Sequence, residues 1–157
     1  MSAGSPGGAV PVIAAGTNKR FFHEVATTAS PEAVWRQWMD VANWRTWDQG
    51  LQNAAADKPL ALGVRGKIVD RSGRVSNFTV TEFVPGKSYA FATGLPGARL
   101  VVRRVILTDG AMTRFRHEVH FEGLLAGIFA SKFGPDFRAK LPPTMQALAA
   151  RAERGAQ

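Results

Sequence analysis

Residues 97–123, GARLVVRRVILTDGAMTRFRHEVHFEG, decide how this chain is read. Two alternating runs flank Asp109-Gly110, a dipeptide suited to a tight hairpin because such turns favour Asn, Asp and Gly at their centre. Side chains alternate between faces along a strand, so each run divides into two sets. A two-residue turn sets Thr108 opposite Ala111. One face then carries Leu100, Val102, Arg104 and Ile106 beside Phe115, His117, Val119 and Phe121. The other carries Arg99, Arg103, Arg114, Arg116, Glu118 and His120. The apolar set belongs inside, and within it stand two polar residues, Arg104 and His117. The same register brings Arg103 roughly opposite Arg116, a repulsion that Glu118 partly relieves.

Outward from this hairpin, the period of two predicts strands at about 51–56, 66–72, 75–84, 87–94, 97–107 and 111–122. Their separators, Leu62-Gly63, Ser72-Gly73, Pro85-Gly86 and Leu95-Pro96-Gly97, are turn-like. An earlier strand covers 20–27, so that Phe21, His23 and Val25 share a face. Ser30 as N-cap, Pro31 at the first helical position and Glu32 in the first turn open a helix striped by Val34, Trp35, Trp38 and Met39. A second short helical piece, 40–47, carries Val41, Trp44 and Trp47 at spacing three. After Gly123, Leu125, Phe129, Phe133, Phe137, Leu141, Met145 and Leu148 recur at helical spacing, long enough to cross a sheet. Kinks or short breaks are expected at Gly134-Pro135 and Pro142-Pro143, because an interior proline removes a backbone bond and clashes with the preceding turn.

A chain of 157 residues suits one domain. Residues 1–18, rich in Gly, Ala, Ser and Pro, read as a flexible leader, and 19–154 as a single domain. With no cysteine, disulfides and thiolate metal sites are excluded. The short apolar run 9–15 is broken by Pro11 and has no basic residue before it, so no secretory signal is expected. No run approaches the ~20 apolar residues that span a bilayer, so no stable membrane insertion is expected and cytoplasmic residence is. The net charge of +8 is scattered from Lys19 to Arg154 and densest at Arg99, Arg103, Arg104, Arg114 and Arg116. It reads as a solvated outer face, without a nucleic-acid partner. Gly86-Lys87-Ser88 lacks the first glycine of a phosphate loop, since Thr81 occupies that place. The three histidines lack zinc spacing, so no metal is expected.

Several local words carry a resemblance. Residues 29–35 (ASPEAVW), 40–48 (DVANWRTWD), 80–86 (VTEFVPG) and 121–123 (FEG), in the order strand, two small helices, six strands and a long helix, resemble the SRPBCC superfamily. This is the helix-grip group of START and Bet v 1-like proteins, with polyketide cyclases, dehydrases and lipid transporters. The resemblance implies an α+β fold in which a curved antiparallel sheet of about seven strands wraps a long C-terminal helix. It also implies an internal cavity holding a hydrophobic small molecule (a lipid, polyketide or aromatic metabolite), without a cofactor, in a monomer or homodimer. The alternative it implies is a cofactor-independent polyketide cyclase, aromatase or dehydrase acting in the same cavity.

The candidate ligand-binding residues are Arg104, His117, His23, Trp44, Trp47, Phe115, Phe121, Phe129 and Phe133, with His117 the candidate catalytic residue. Arg104 reads as a fixed anchor for a carboxylate, phenolate or carbonyl, as half of a satisfied structural pair, or as turned outward by a bulge. His117 adds a group that can change protonation near neutral pH. Trp35 and Trp38 read as core. Trp44 and Trp47, expected near the mouth, read as core or as an aromatic wall.

Overall fold

The computed structural model describes residues 12–155, without the side chains of 108 and 109. In chain order they form β1 (Ala15–Gly16), β2 (Arg20–Thr27), α1 (Pro31–Met39), a 3-10 helix (Val41–Thr46), β3 (Leu51–Ala56), β4 (Arg65–Asp70), β5 (Val75–Val84), β6 (Ser88–Leu95), β7 (Ala98–Asp109), β8 (Met112–Glu122) and α2 (Ala126–Gly155). Ser30 caps α1 as its position implies, its hydroxyl accepting the Ala33 N–H at 3.1 Å. The strands make one antiparallel sheet in the order β1-β2-β8-β7-β6-β5-β4-β3. It has eight strands where about seven were expected, the extra one being the two-residue β1. Helix α2 packs against β2, β7, β8 and α1. This is the helix-grip arrangement.

The central hairpin differs from expectation in register but not in face. Asp109 pairs with Met112 and Thr108 with Thr113, so the turn residues are Gly110 and Ala111. Gly110 takes the positive φ, 72°, at the first central position, as in a turn needing only one left-handed residue. The two-residue slip keeps every side chain on its predicted face, because the period is two. It changes the partners. Arg103 lies opposite Glu118, not Arg116, and Val105 faces Arg116. The expected arginine repulsion is therefore absent from that pair.

The outer face is an ion-pair lattice. Arg103 meets Glu82 at 3.1 Å and Glu118 at 3.5 Å, Arg114 meets Glu24 at 2.7 Å, and Arg116 is held by Glu24 and, at 3.5 Å, by Glu118. Arg99 pairs with Glu122 at the sheet's end.

Two further expectations, the short breaks in α2 and the extent of the leader, are corrected together. Helix α2 runs without a break through Pro135, Pro142 and Pro143. Pro142 has no N–H for the Arg138 carbonyl, and the Ala14 N–H takes that carbonyl instead at 2.9 Å. The Arg138 guanidinium donates to the carbonyls of Ala14 and Gly16 and to Asn18 Oδ1, each at 3.0–3.2 Å. At Gly134 a Cβ would lie 2.5 Å from the Asn18 carbonyl oxygen, so glycine admits the chain there. Of the expected leader 1–18, residues 1–11 lie outside the described residues. Residues 14–18 are part of the fold, strapped onto α2 at the two places where it was expected to break.

Candidate functional site

The sheet register aligns four polar side chains in one row across the inner face. Tyr89 on β6 pairs with Arg104 on β7, Arg104 with His117 on β8, and His117 with His23 on β2. The row on one side is Phe91, Val102, Val119 and Phe21, and on the other side Ile106, Phe115 and Val25. Side chains directly opposite in antiparallel strands are within about 5 Å at Cβ, so the four form a continuous polar line in an apolar field.

Arg104 and His117 are buried, at 4% and 1% exposure. The Arg104 guanidinium carbon lies 4.8 Å from the ring centre of Trp44, 5.1 Å from Trp47, 5.3 Å from Phe91 and 5.7 Å from Tyr89. A guanidinium enclosed by aromatic faces is stabilised by their negative π surfaces. Its Nη1 donates to the Tyr89 hydroxyl at 2.5 Å. Among the described residues it has no direct ion pair, and its Nε has no hydrogen-bond partner. Trp47 Nε1, beside it, has none either. Each such buried donor costs about 1–3 kcal/mol while unpaired. Among the described residues nothing accepts from either.

His117 Nε2 accepts from Trp38 Nε1 at 3.1 Å, so the ring's own proton sits on Nδ1. Burial, then the Arg104 charge and His23, hold His117 well below the usual histidine value, so it is neutral at pH 7. Burial also lowers His23, against the pull of Glu24. Burial raises Tyr89, against Arg104, so its hydroxyl keeps its proton. Asp48, whose carboxylate accepts the Gly50 N–H at 2.9 Å, is raised by burial while Arg104 pulls it down. The row therefore holds one fixed cation and three neutral proton-bearing groups, with a carboxyl in its field.

The structure sorts the remaining candidates into two groups. Trp44 and Trp47 are not at a mouth. Both are buried in the main core, and Trp44 stacks on Phe78 and Phe91 while its Nε1 donates to the Trp38 carbonyl at 2.8 Å. Their role near the row is as walls of the Arg104 enclosure. Phe115 is buried beside Trp38, and the space around the row is filled by side chains. Phe129 and Phe133 are half-buried, forming with Phe137 a stacked ladder along α2, and Phe121 stacks on Phe137. This ladder and Leu95, Leu100, Val102 and Leu141 make a second apolar cluster, joined to the main core at Val102 and Leu141. Leu100, Val102 and Arg104 share a face of β7, so about 13 Å of strand separates Leu100, beside the ladder, from Arg104. At the other end of the row, His23 lines a groove of about 630 Å3 between β2 and Pro142, Pro143 and Gln146 of α2.

Phe133→Ala should cost about 1–2 kcal/mol, below the 3–5 kcal/mol typical of a fully packed phenylalanine, since Phe133 is only partly buried. Denaturant unfolding measures this directly, and a loss above about 3 kcal/mol would make Phe133 closed core rather than lining.

Sequence reasoning missed Tyr89, Trp38 and Asp48 at this site. Tyr89 had a signal: the Pro96-Gly97 turn pairs Leu95 with Ala98, and counting back sets Tyr89 opposite Arg104. Trp38 and Asp48 had none, because they arrive from α1 and the segment after the 3-10 helix.

Fold and site together define a helix-grip domain with a polar row under an apolar strip. Residues 20–153 match the family described as polyketide cyclase / dehydrase and lipid transport, and the chain belongs to that family. Comparison with curated proteins found no match. Among solved structures, the chain is similar to protein MLL2253 from Mesorhizobium loti, at 21% identity and TM-score 0.68, over 87% of this chain and 98% of that one. It is similar to TTHA0849 from Thermus thermophilus, at 15% identity and TM-score 0.69, over 88% and 99%. It also resembles DynU16, a protein of the dynemicin biosynthetic locus, at 15% identity and TM-score 0.68, over 88% of this chain and 48% of that one. At these identities the likeness is one of fold. The family supports a ligand-binding or cyclase role.

Proposed function

We propose that this protein binds a hydrophobic small molecule between the sheet and α2, with an acceptor group of the ligand directed to Arg104. The observation that carries this reading is the pair of buried donors, Arg104 Nε and Trp47 Nε1, left without acceptors among the described residues in a largely aromatic enclosure. A carboxylate, enolate or phenolate on the ligand satisfies both and offsets the buried positive charge. The partly buried strip of Phe129, Phe133, Leu95 and Leu100 supports the same reading, since it offers apolar surface to the ligand's body between the sheet and α2. Native mass spectrometry of the purified protein should reveal a co-purifying apolar compound with an acidic group. A protein that carries nothing, and that binds neither fatty acids nor aromatic acids in titration, would remove the proposal.

A second reading, catalysis of polyketide cyclisation or dehydration, is supported by the two neutral proton-bearing groups, His117 and Tyr89, on either side of Arg104. Cyclisation also draws on substrate folding, which an enclosed site supplies by orientation alone. The neighbour from a biosynthetic locus suits this reading as well. His117→Gln separates the two: as a catalyst's variant it keeps substrate affinity and loses about 10²-fold in turnover, whereas a binder shows no turnover to lose.

A further inference from the structure

At the end of the sheet where β8 passes into α2, the fold leaves large apolar side chains in solvent. Leu124 is 96% exposed and Ile128 64%, with Leu125 beside them at 38%. Their exposure is built in. The Leu125 N–H donates to the Gly97 carbonyl at 2.9 Å, and the Leu125 side chain lies where a Cβ on Gly97 would meet it, at 2.8 Å. At Gly123, with φ 109°, a Cβ would lie 2.8 Å from the Ala98 Cα, so glycine admits the strand-to-helix link there. The β6–β7 turn thus holds the first turn of α2 from below and points Leu124 and Ile128 away from the protein.

The charge around this tip is one-sided. The alternation of an antiparallel meander places the β4–β5 turn, the β6–β7 turn, the start of β2 and the start of α2 at the same end. Those segments carry Lys19, Arg20, Arg71, Arg74, Arg99 and Lys132, all exposed. Their two carboxylates are already engaged: Asp70 caps its own turn through the N–H groups of Ser72 and Arg74, and Glu122 pairs with Arg99 and His120. From Gly123 to Pro135 there is no acidic residue. Arg74 also lies 5.1 Å over the Phe133 ring, which ties this cationic end to the half-buried apolar strip.

We propose that this end is a docking surface for an anionic bilayer, with Leu124 and Ile128 entering the interface and Lys19, Arg20, Arg71, Arg74 and Lys132 facing lipid phosphates. Exposed apolar side chains within a cationic rim are the chemistry that binds such a surface reversibly. No helix among the described residues is long and apolar enough to cross a membrane, so the contact is peripheral.

The test uses the full chain, without added ligand, in co-sedimentation with vesicles of phosphatidylcholine alone or with about 30 mol% phosphatidylglycerol. The wild type should bind the anionic vesicles, release as salt rises, and bind neutral vesicles at least tenfold more weakly, on the order expected for several surface charges. The double variant Leu124→Asp, Ile128→Asp should lose at least about tenfold in binding, with an unchanged melting temperature because both side chains are solvent-exposed. Leu62→Asp, an exposed leucine at the opposite end, should bind as the wild type does. Equal losses from Leu62→Asp and from the tip variant, or no binding of anionic vesicles, would overturn the proposal. So would a wild-type dimer that the tip variant dissociates without any vesicle binding, since a second copy would then be the occupant.

Discussion

Arg104→Met should lower affinity for an acidic ligand about a hundredfold while lowering stability by only about 1–2 kcal/mol. The ligand loses its sole fixed cation in an apolar enclosure, and a hydrogen-bonded charge pair removed from such a place is worth about 2–5 kcal/mol. The fold loses less. Methionine fills much of the arginine's volume against Trp44, Trp47 and Phe91, and a buried charge without an ion pair contributes little net stability. The residual cost comes from the Tyr89 hydroxyl, which accepted from Arg104 and is left buried without that partner. Adding Tyr89→Phe should therefore recover most of the stability and none of the affinity. Isothermal titration and denaturant unfolding on the same three proteins decide it. Unchanged affinity in Arg104→Met would show that the guanidinium is a core element and not an anchor.

The second large effect is on pH. His117 is held neutral in the folded state by burial and by Arg104, with its pKa well below 6.5, while in the unfolded chain it titrates near that ordinary value. Between the two values the unfolded state binds a proton that the folded state refuses. Stability from this group is complete above about pH 6.5 and is lost as pH falls beneath it, by up to about 1.4 kcal/mol per pH unit. His23, lowered in the same direction, adds to the slope. The charged groups facing His117 are Arg104 across β7 and His23 across β2, and neither favours its protonation. His117→Gln keeps an acceptor for Trp38 Nε1 and removes the titration, so its stability between pH 7 and 5 should be flatter. Thermal unfolding over that range measures it, and an identical slope in the variant would place the proton uptake elsewhere. A separate loss follows at lower pH, where Glu24 and Glu122, lowered by their hydrogen bonds to Arg116 and to Arg99, become protonated and the outer lattice opens.

Much of this architecture was legible from local pattern. Ser30-Pro31 fixed the start of α1 because capping and a missing N–H are properties of those residues alone. The faces of β7 and β8 were legible despite a misplaced turn, since a slip of two residues preserves parity. Arg104 and His117 were therefore assigned correctly to the inner face, while the pairing of Arg103 with Arg116 was not, because partners depend on the slip and faces do not. Which central position Gly110 occupies is settled by backbone torsion, which the dipeptide Asp109-Gly110 leaves open.

The α+β class, the strand order along the chain, the long apolar stripe of α2 and the presence of two polar residues on an apolar face were determined by the sequence alone, through periods of two and near four. Only the tertiary structure decided the rest. The continuity of α2 depends on Ala14 reaching the Arg138 carbonyl across the molecule, a contact between residues far apart in sequence that stands in for the N–H missing at Pro142. The burial of Trp44 and Trp47 depends on where the 3-10 helix lands on the sheet. The polar row of Tyr89, Arg104, His117 and His23 exists because four strands align, and its unpaired donors exist because packing brought aromatic rings around Arg104 and no acceptor to its Nε. Alternation says which way a side chain points. What it meets there is set by parts of the chain that alternation does not connect.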